Sequence, residues 1–169
     1  TMSTATPVQF LFIDAGVTGV DTLLTSVDPS VTVVRLSADT DGLEQIARAL
    51  AGVTGVDAVH VVSHGGPGAL TLGGGTLDAA SLADHAQALA TIRAALAENA
   101  DLLLYGCDVG QGAAGQAFAS ALAEATGADV AASDDPTGSS MLGGDWDLEI
   151  QTGLVEATPL SGAGYDALL

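Results

Sequence analysis

Short apolar runs, each closed by small or polar residues, alternate with helix-like stretches along the whole chain, and this alternation is the strongest constraint on its fold. Val8-Gln9-Phe10-Leu11-Phe12-Ile13 reads as a buried strand closed by Asp14-Ala15-Gly16. A second strand over 31–36 follows a short helical stretch near 20–26. Asp41 has the chemistry of an N-cap for a helix over 42–50, where Leu43, Ile46, Ala47 and Leu50 share one face. A third strand over 58–62 ends at Ser63-His64-Gly65-Gly66, and residues 69–72 and 76–77 flank a triple glycine as a small hairpin. An alanine-rich helix is predicted over 79–98. A fourth strand over 101–105 follows it and ends at Gly106-Cys107-Asp108. A helix over 112–126 and strands over 128–132 and 146–150 complete the pattern. Strand–helix–strand repetition with apolar strands predicts an α/β fold, a mainly parallel sheet of roughly six strands with helices on both faces. One domain is expected over 1–151. The Gly-rich tail over 152–169 is expected to pack loosely and lead into the rest of a longer protein.

Three arginines (Arg35, Arg48, Arg93), no lysine and 21 acids give a formal net charge of −18. Such a surface repels phosphate backbones and anionic lipid, which argues against nucleic acid as a partner. It can attract Ca²⁺ or basic peptides, or serve only solubility. The apolar runs are too short to span a bilayer, so no membrane insertion is expected. The N-terminus lacks the basic-then-apolar pattern of an export leader, so any such signal is expected outside these residues. Cys107 is the single cysteine, which excludes an internal disulfide and leaves it as buried filler or a working thiol.

In open α/β sheets ligands sit beyond the carboxyl ends of the strands. Asp14, His64 and Cys107 stand at three such ends, with Asp134-Asp135 after the fifth strand. If the strands before His64 and Cys107 are neighbours, a thiol and an imidazole share one rim and can act as nucleophile and base. Gly65 and Gly66 leave room for a peptide. The backbone N–H groups of Gly65 and Cys107 can face a developing oxyanion.

Val61-Val62-Ser63-His64-Gly65 and Leu103-Leu104-Tyr105-Gly106-Cys107 resemble the paired signatures of the caspase-like cysteine peptidases, an apolar run before His-Gly and another before a small residue and Cys. More closely, the chain resembles a caspase-like domain of very large, repeat-rich bacterial surface proteins and adhesins. That likeness runs from Phe12-Ile13-Asp14 to Gly143-Gly144-Asp145-Trp146-Asp147. The resemblance implies that Cys107 attacks a scissile carbonyl while His64 protonates the leaving amine. It also implies a cysteine endopeptidase that needs no cofactor and processes its own parent polypeptide, in a secreted or surface-exposed bacterial protein. An inactive caspase-like module for assembly or adhesion is the competing reading. Asp14 falls where such enzymes place a residue that reads the side chain before the cut. With Asp134 and Asp135 it predicts an acidic pocket favouring Arg or Lys. Both sites read equally as turns. Aspartate specificity lacks support, since Arg35 is the only remote basic candidate, and no Arg or Lys follows Arg93.

His60 lies mid-strand and reads as a core residue, His85 as a solvated helix residue, and the three histidines lack metal-ligand spacing. Asp145 and Asp147 flank Trp146 without the frame of an EF-hand, and Trp146 is expected to pack on the sheet edge. Gly110-Gln111-Gly112-Ala113-Ala114-Gly115 fits the dinucleotide fingerprint, yet Cys107-Asp108-Val109 intervene where its first glycine should meet the strand. No serine-hydrolase elbow or Walker loop occurs.

Overall fold

The computed structural model describes residues 7–160, 162 and 165–169. In chain order the elements are β1 (Gln9–Ile13), α1 (Val20–Leu24), β2 (Thr32–Arg35), α2 (Gly42–Leu50), β3 (Val56–Val62), β4 (Gly65–Gly66), β5 (Ala69–Leu72) and β6 (Gly75–Asp78). They continue with α3 (Ala86–Ala95), β7 (Leu96–Tyr105), α4 (Gly112–Thr126), β8 (Asp129–Ala132) and β9 (Ile150–Gln151). Six strands form one sheet in the order β2-β1-β3-β7-β8-β9. All neighbours are parallel except β9, which runs antiparallel to β8. The expected α/β architecture is therefore present. A second, antiparallel sheet of β4, β5 and β6 includes Gly65–Gly66, a strand too short to leave a sequence signal.

Side chains alternate across the central sheet and build two cores. On one face Phe12, Val59, Leu102 and Leu104 pack with α2, α3 and α4 through residues such as Ile46, Ile92 and Phe118. On the other face Leu11, Ile13, Leu103 and Tyr105 meet Leu23 of α1 and the downstream residues Leu148, Leu160, Tyr165 and Leu169. Each fully buried side chain of this size contributes on the order of 2 kcal/mol. Within the tail expected to pack loosely, Leu160, Tyr165 and Leu169 are buried and help to roof the second face beside α1, whereas most of 152–159 is exposed. Buried Asp101 fixes the tail, its Oδ2 accepting the N–H groups of Glu156 and Ala157 at 2.9 and 2.8 Å.

Local signals explain most element ends. Asp41 caps α2, its Oδ1 accepting from Leu43 N and Glu44 N at 2.9 and 3.2 Å. The long helix expected over 79–98 is instead a 3-10 turn, Ser81–His85, followed by α3. It stops at Ala95 because Leu96 pairs with Val56 at the start of β3, and strand pairing overrides the helix preference of an alanine-rich stretch. The sixth strand is only two residues long and lies at 150–151, because Trp146 turns off the sheet edge to lie between Tyr105 and Tyr165, tilted against the first ring and edge-on to the second. His85 is not solvated. It sits half-buried with Nδ1 3.1 Å from Glu44 Oε1 and Nε2 3.6 Å from Asp41 Oδ2. Among the described residues no helix is long and apolar enough to cross a membrane.

Candidate active site

β1, β3 and β7 are adjacent, so their carboxyl ends form one rim. Val62 pairs with Tyr105. Beyond that pair Ser63 N–H donates to Tyr105 O at 3.0 Å, and Asp14 N–H donates to Val62 O at 2.9 Å. His64 and Cys107 therefore each stand two residues past the same rung of the ladder. Their loops touch: a methyl group at Gly65 would lie 2.5 Å from Val109 Cγ2 and 3.4 Å from Cys107 O. Only glycine lets the two loops come this close.

His64 is half-buried, and its Nε2 lies 2.8 Å from the carbonyl oxygen of Gly16 in the turn after β1. A carbonyl only accepts, so Nε2 carries a hydrogen, and among the described residues Nδ1 has no hydrogen-bond partner. Cys107 is also half-buried. Its Sγ lies 2.6 Å from Leu169 O, and Thr137 N–H points at the sulfur from 3.4 Å. Thr137 is fully buried, and its hydroxyl donates to Gly106 O at 3.2 Å, so it locks the loop that bears the thiol. Asp108, next to Cys107, adopts a left-handed backbone with φ 62°. Its N–H donates to Asp135 O at 3.1 Å, and Gly110 N–H donates to Ser133 O at 2.7 Å, fastening this loop to the one after β8. Among the described residues Cys107 N–H makes no backbone hydrogen bond, and no hydrogen bond joins His64 to Cys107.

Asp14 and the Asp134-Asp135 pair, expected to line one pocket, follow β1 and β8, with β3 and β7 between those strands in the sheet. Asp14 is buried, with Oδ1 accepting from Gly73 N at 2.6 Å and Oδ2 from Gly16 N at 3.0 Å. It ties the β1 turn to the hairpin between β5 and β6, and in doing so positions the Gly16 carbonyl for His64. Asp134 and Asp135 instead group with Glu149, their ligand-capable atoms lying within 4.8 Å of one another, and Asp145, Asp147 and Glu149 form a second such trio. Burial, and then the charge of Asp135, pushes Asp145 above the usual carboxylate range, and burial also raises Glu149. Carboxylate oxygens of this kind suit a hard cation such as Ca²⁺.

His60 is a core residue, as its mid-strand place predicts. Leu160 N–H donates to the Tyr105 hydroxyl at 2.9 Å, leaving that hydroxyl to donate to His60 Nδ1 at 2.9 Å, while His60 Nε2–H meets Gln9 Oε1 at 2.8 Å. Burial lowers its pKa to about 4, which keeps the ring neutral. The dinucleotide-like glycines have a packing role: a methyl group on Gly115 would collide with the backbone of Gly110. Sequence reasoning missed Thr137, Gly16 and Leu169, whose parts depend on contacts between distant segments.

A family model described as a domain of unknown function, DUF4347, matches residues 10–168. No curated protein and no solved structure matches the chain.

Proposed function

The chain belongs to the DUF4347 family, a domain of unknown function, and from its site we propose that it is a cysteine endopeptidase of the caspase-like kind. Cys107 is the nucleophile and His64 carries the proton to the leaving amine. The observation that carries this reading is the abutment of the His64 and Cys107 loops on one rim, each residue two positions past the paired Val62 and Tyr105. His64 held through Nε2 presents Nδ1 as its working nitrogen. It takes the thiol proton there and delivers it to the departing nitrogen. The N–H of Cys107, with that of Gly65 beside it, is suited to receive the oxyanion. With this reading go the parent polypeptide as substrate and a place in a larger bacterial surface or secreted protein.

Protein substrates incubated with the chain under reducing conditions, with and without Ca²⁺, should be cut in a thiol-dependent way. Cys107→Ala should abolish cleavage, and His64→Ala should slow it by roughly 10²-fold or more. Cleavage that survives Cys107→Ala, or none under any of these conditions, sinks the proposal.

One observation favours a second reading, an inactive structural module: the sulfur is covered by Leu169 and has no hydrogen bond to His64. Slow, pH-independent alkylation of Cys107 even after the tail is displaced would favour it.

A further inference from the structure

Resting on the peptidase reading, we propose that residues 165–169 lie in the substrate cleft as the enzyme's own target segment. Leu169 is then the residue before the scissile bond, and the cleft selects a leucine-like side chain rather than a basic one.

The segment is held as a bound peptide strand is held. Ser139 N–H donates to Ala167 O, and Leu169 N–H donates to Thr137 O, both at 2.9 Å. Gly138 and Leu168 form an antiparallel bridge between them. Main-chain pairing of this sort gives register without regard to sequence, and side-chain pockets supply the choice. Leu169 fills such a pocket: only 6% exposed, it joins an apolar cluster with Ile13, Val17, Val62 and Tyr105, against which Cys107 packs. Upstream, the Tyr165 hydroxyl donates to Thr18 O at 2.9 Å, and its ring meets Trp146 edge-on at 5.7 Å. Asp166 is exposed, as a residue facing away from the cleft should be.

Apolar walls exclude an uncompensated Arg or Lys. The acid expected to receive one, Asp14, is engaged with Gly16 and Gly73. In a chain that carries residues after Leu169, the sulfur attacks the Leu169 carbonyl carbon and forms a C–S bond. His64 holds the thiol proton and passes it to the next residue's nitrogen as the C–N bond breaks. Water then splits the thioester, its hydroxyl joining the acyl carbon and its proton returning to sulfur.

The test uses the whole chain followed by a reporter domain after Leu169, with intact mass as the readout. The expected result is a fragment ending at Leu169, lost in Cys107→Ala. Leu169→Met should keep cleavage, and Leu169→Asp or Leu169→Arg should slow it roughly 100-fold. Because these charged variants also disturb a buried residue, iodoacetamide labelling of Cys107 in the unextended chain gives a second readout. Labelling should be slow, and faster by at least about tenfold in Leu169→Asp as the tail leaves the sulfur. Thiol-dependent cutting elsewhere with the Leu169 bond intact, or labelling indifferent to Leu169, overturns this inference and leaves the peptidase reading standing. The absence of any thiol-dependent cutting removes the peptidase reading itself.

Discussion

Acid should weaken this fold through His60 by an amount that can be worked out from its surroundings. The ring is buried between Tyr105 and Gln9, and burial depresses its pKa from 6.5 to about 4. The unfolded chain therefore binds the proton first. Between these two values it holds more protons than the native state, so the free energy of unfolding falls as pH falls. A shift of this size corresponds to about 3 kcal/mol. That stability is fully present above the unfolded value and is eroded as pH drops towards about 4. Raised carboxylates such as Asp145 and Glu149 act in the opposite sense, since the native state protonates them first. Their contribution masks the histidine in a single curve.

The comparison that isolates it is wild type against His60→Gln, which keeps a polar side chain but does not titrate. Urea unfolding of both proteins, repeated from about pH 7.5 to about pH 4, yields the difference in stability at each pH. Wild type should hold its largest advantage near neutrality and lose about 3 kcal/mol of it on the way down. A difference that stays flat across the range refutes the claim that His60 is held neutral by burial.

Gly65→Ala should cost about 1–3 kcal/mol by urea unfolding, because its methyl group meets Val109 Cγ2 at 2.5 Å. Adding Val109→Ala should recover part of that loss, and a neutral single variant would mean the two loops are not in contact. Asp14→Asn should destabilise by about 1–3 kcal/mol by setting an amide against the Gly16 or Gly73 N–H, without changing the preference among arginyl, leucyl and aspartyl peptide reporters. A selective loss of arginyl cleavage would return Asp14 to the pocket.

The parts of the molecule legible in the sequence are those set by local chemistry. Continuous apolar runs marked β1, β3 and β7, Asp41 marked the start of α2, and a clean helix pattern gave α4 the bounds Gly112–Thr126. Because His64 and Cys107 each come two residues after such a run, their place at one rim was legible as well. The end of α3 was not, since alanines favour helix until the pairing of Leu96 with Val56 intervenes. Asp14 was ambiguous for a different reason. An acid at a strand end looks alike whether it faces solvent or accepts Gly73 N–H, and only the hairpin's position decides. Leu160, Tyr165 and Leu169 follow neither a helix nor a strand period, so nothing local shows that they close the second core.

That closure bears on how the proposed enzyme could act on other proteins. A segment joined to its own cleft competes with any free peptide at an effective concentration in the millimolar range, even if its intrinsic affinity is modest. Here the joined segment also supplies apolar surface to the sheet through Tyr165 and Leu169, so displacing it uncovers part of the second core. A free substrate must therefore replace both the strand pairing with residues 137–139 and that packing before the sulfur is reached. Cleavage in cis needs neither exchange. Under the proposed mechanism the chain is accordingly built for a single cut in its own polypeptide, with the new end left in the cleft as a competitive occupant.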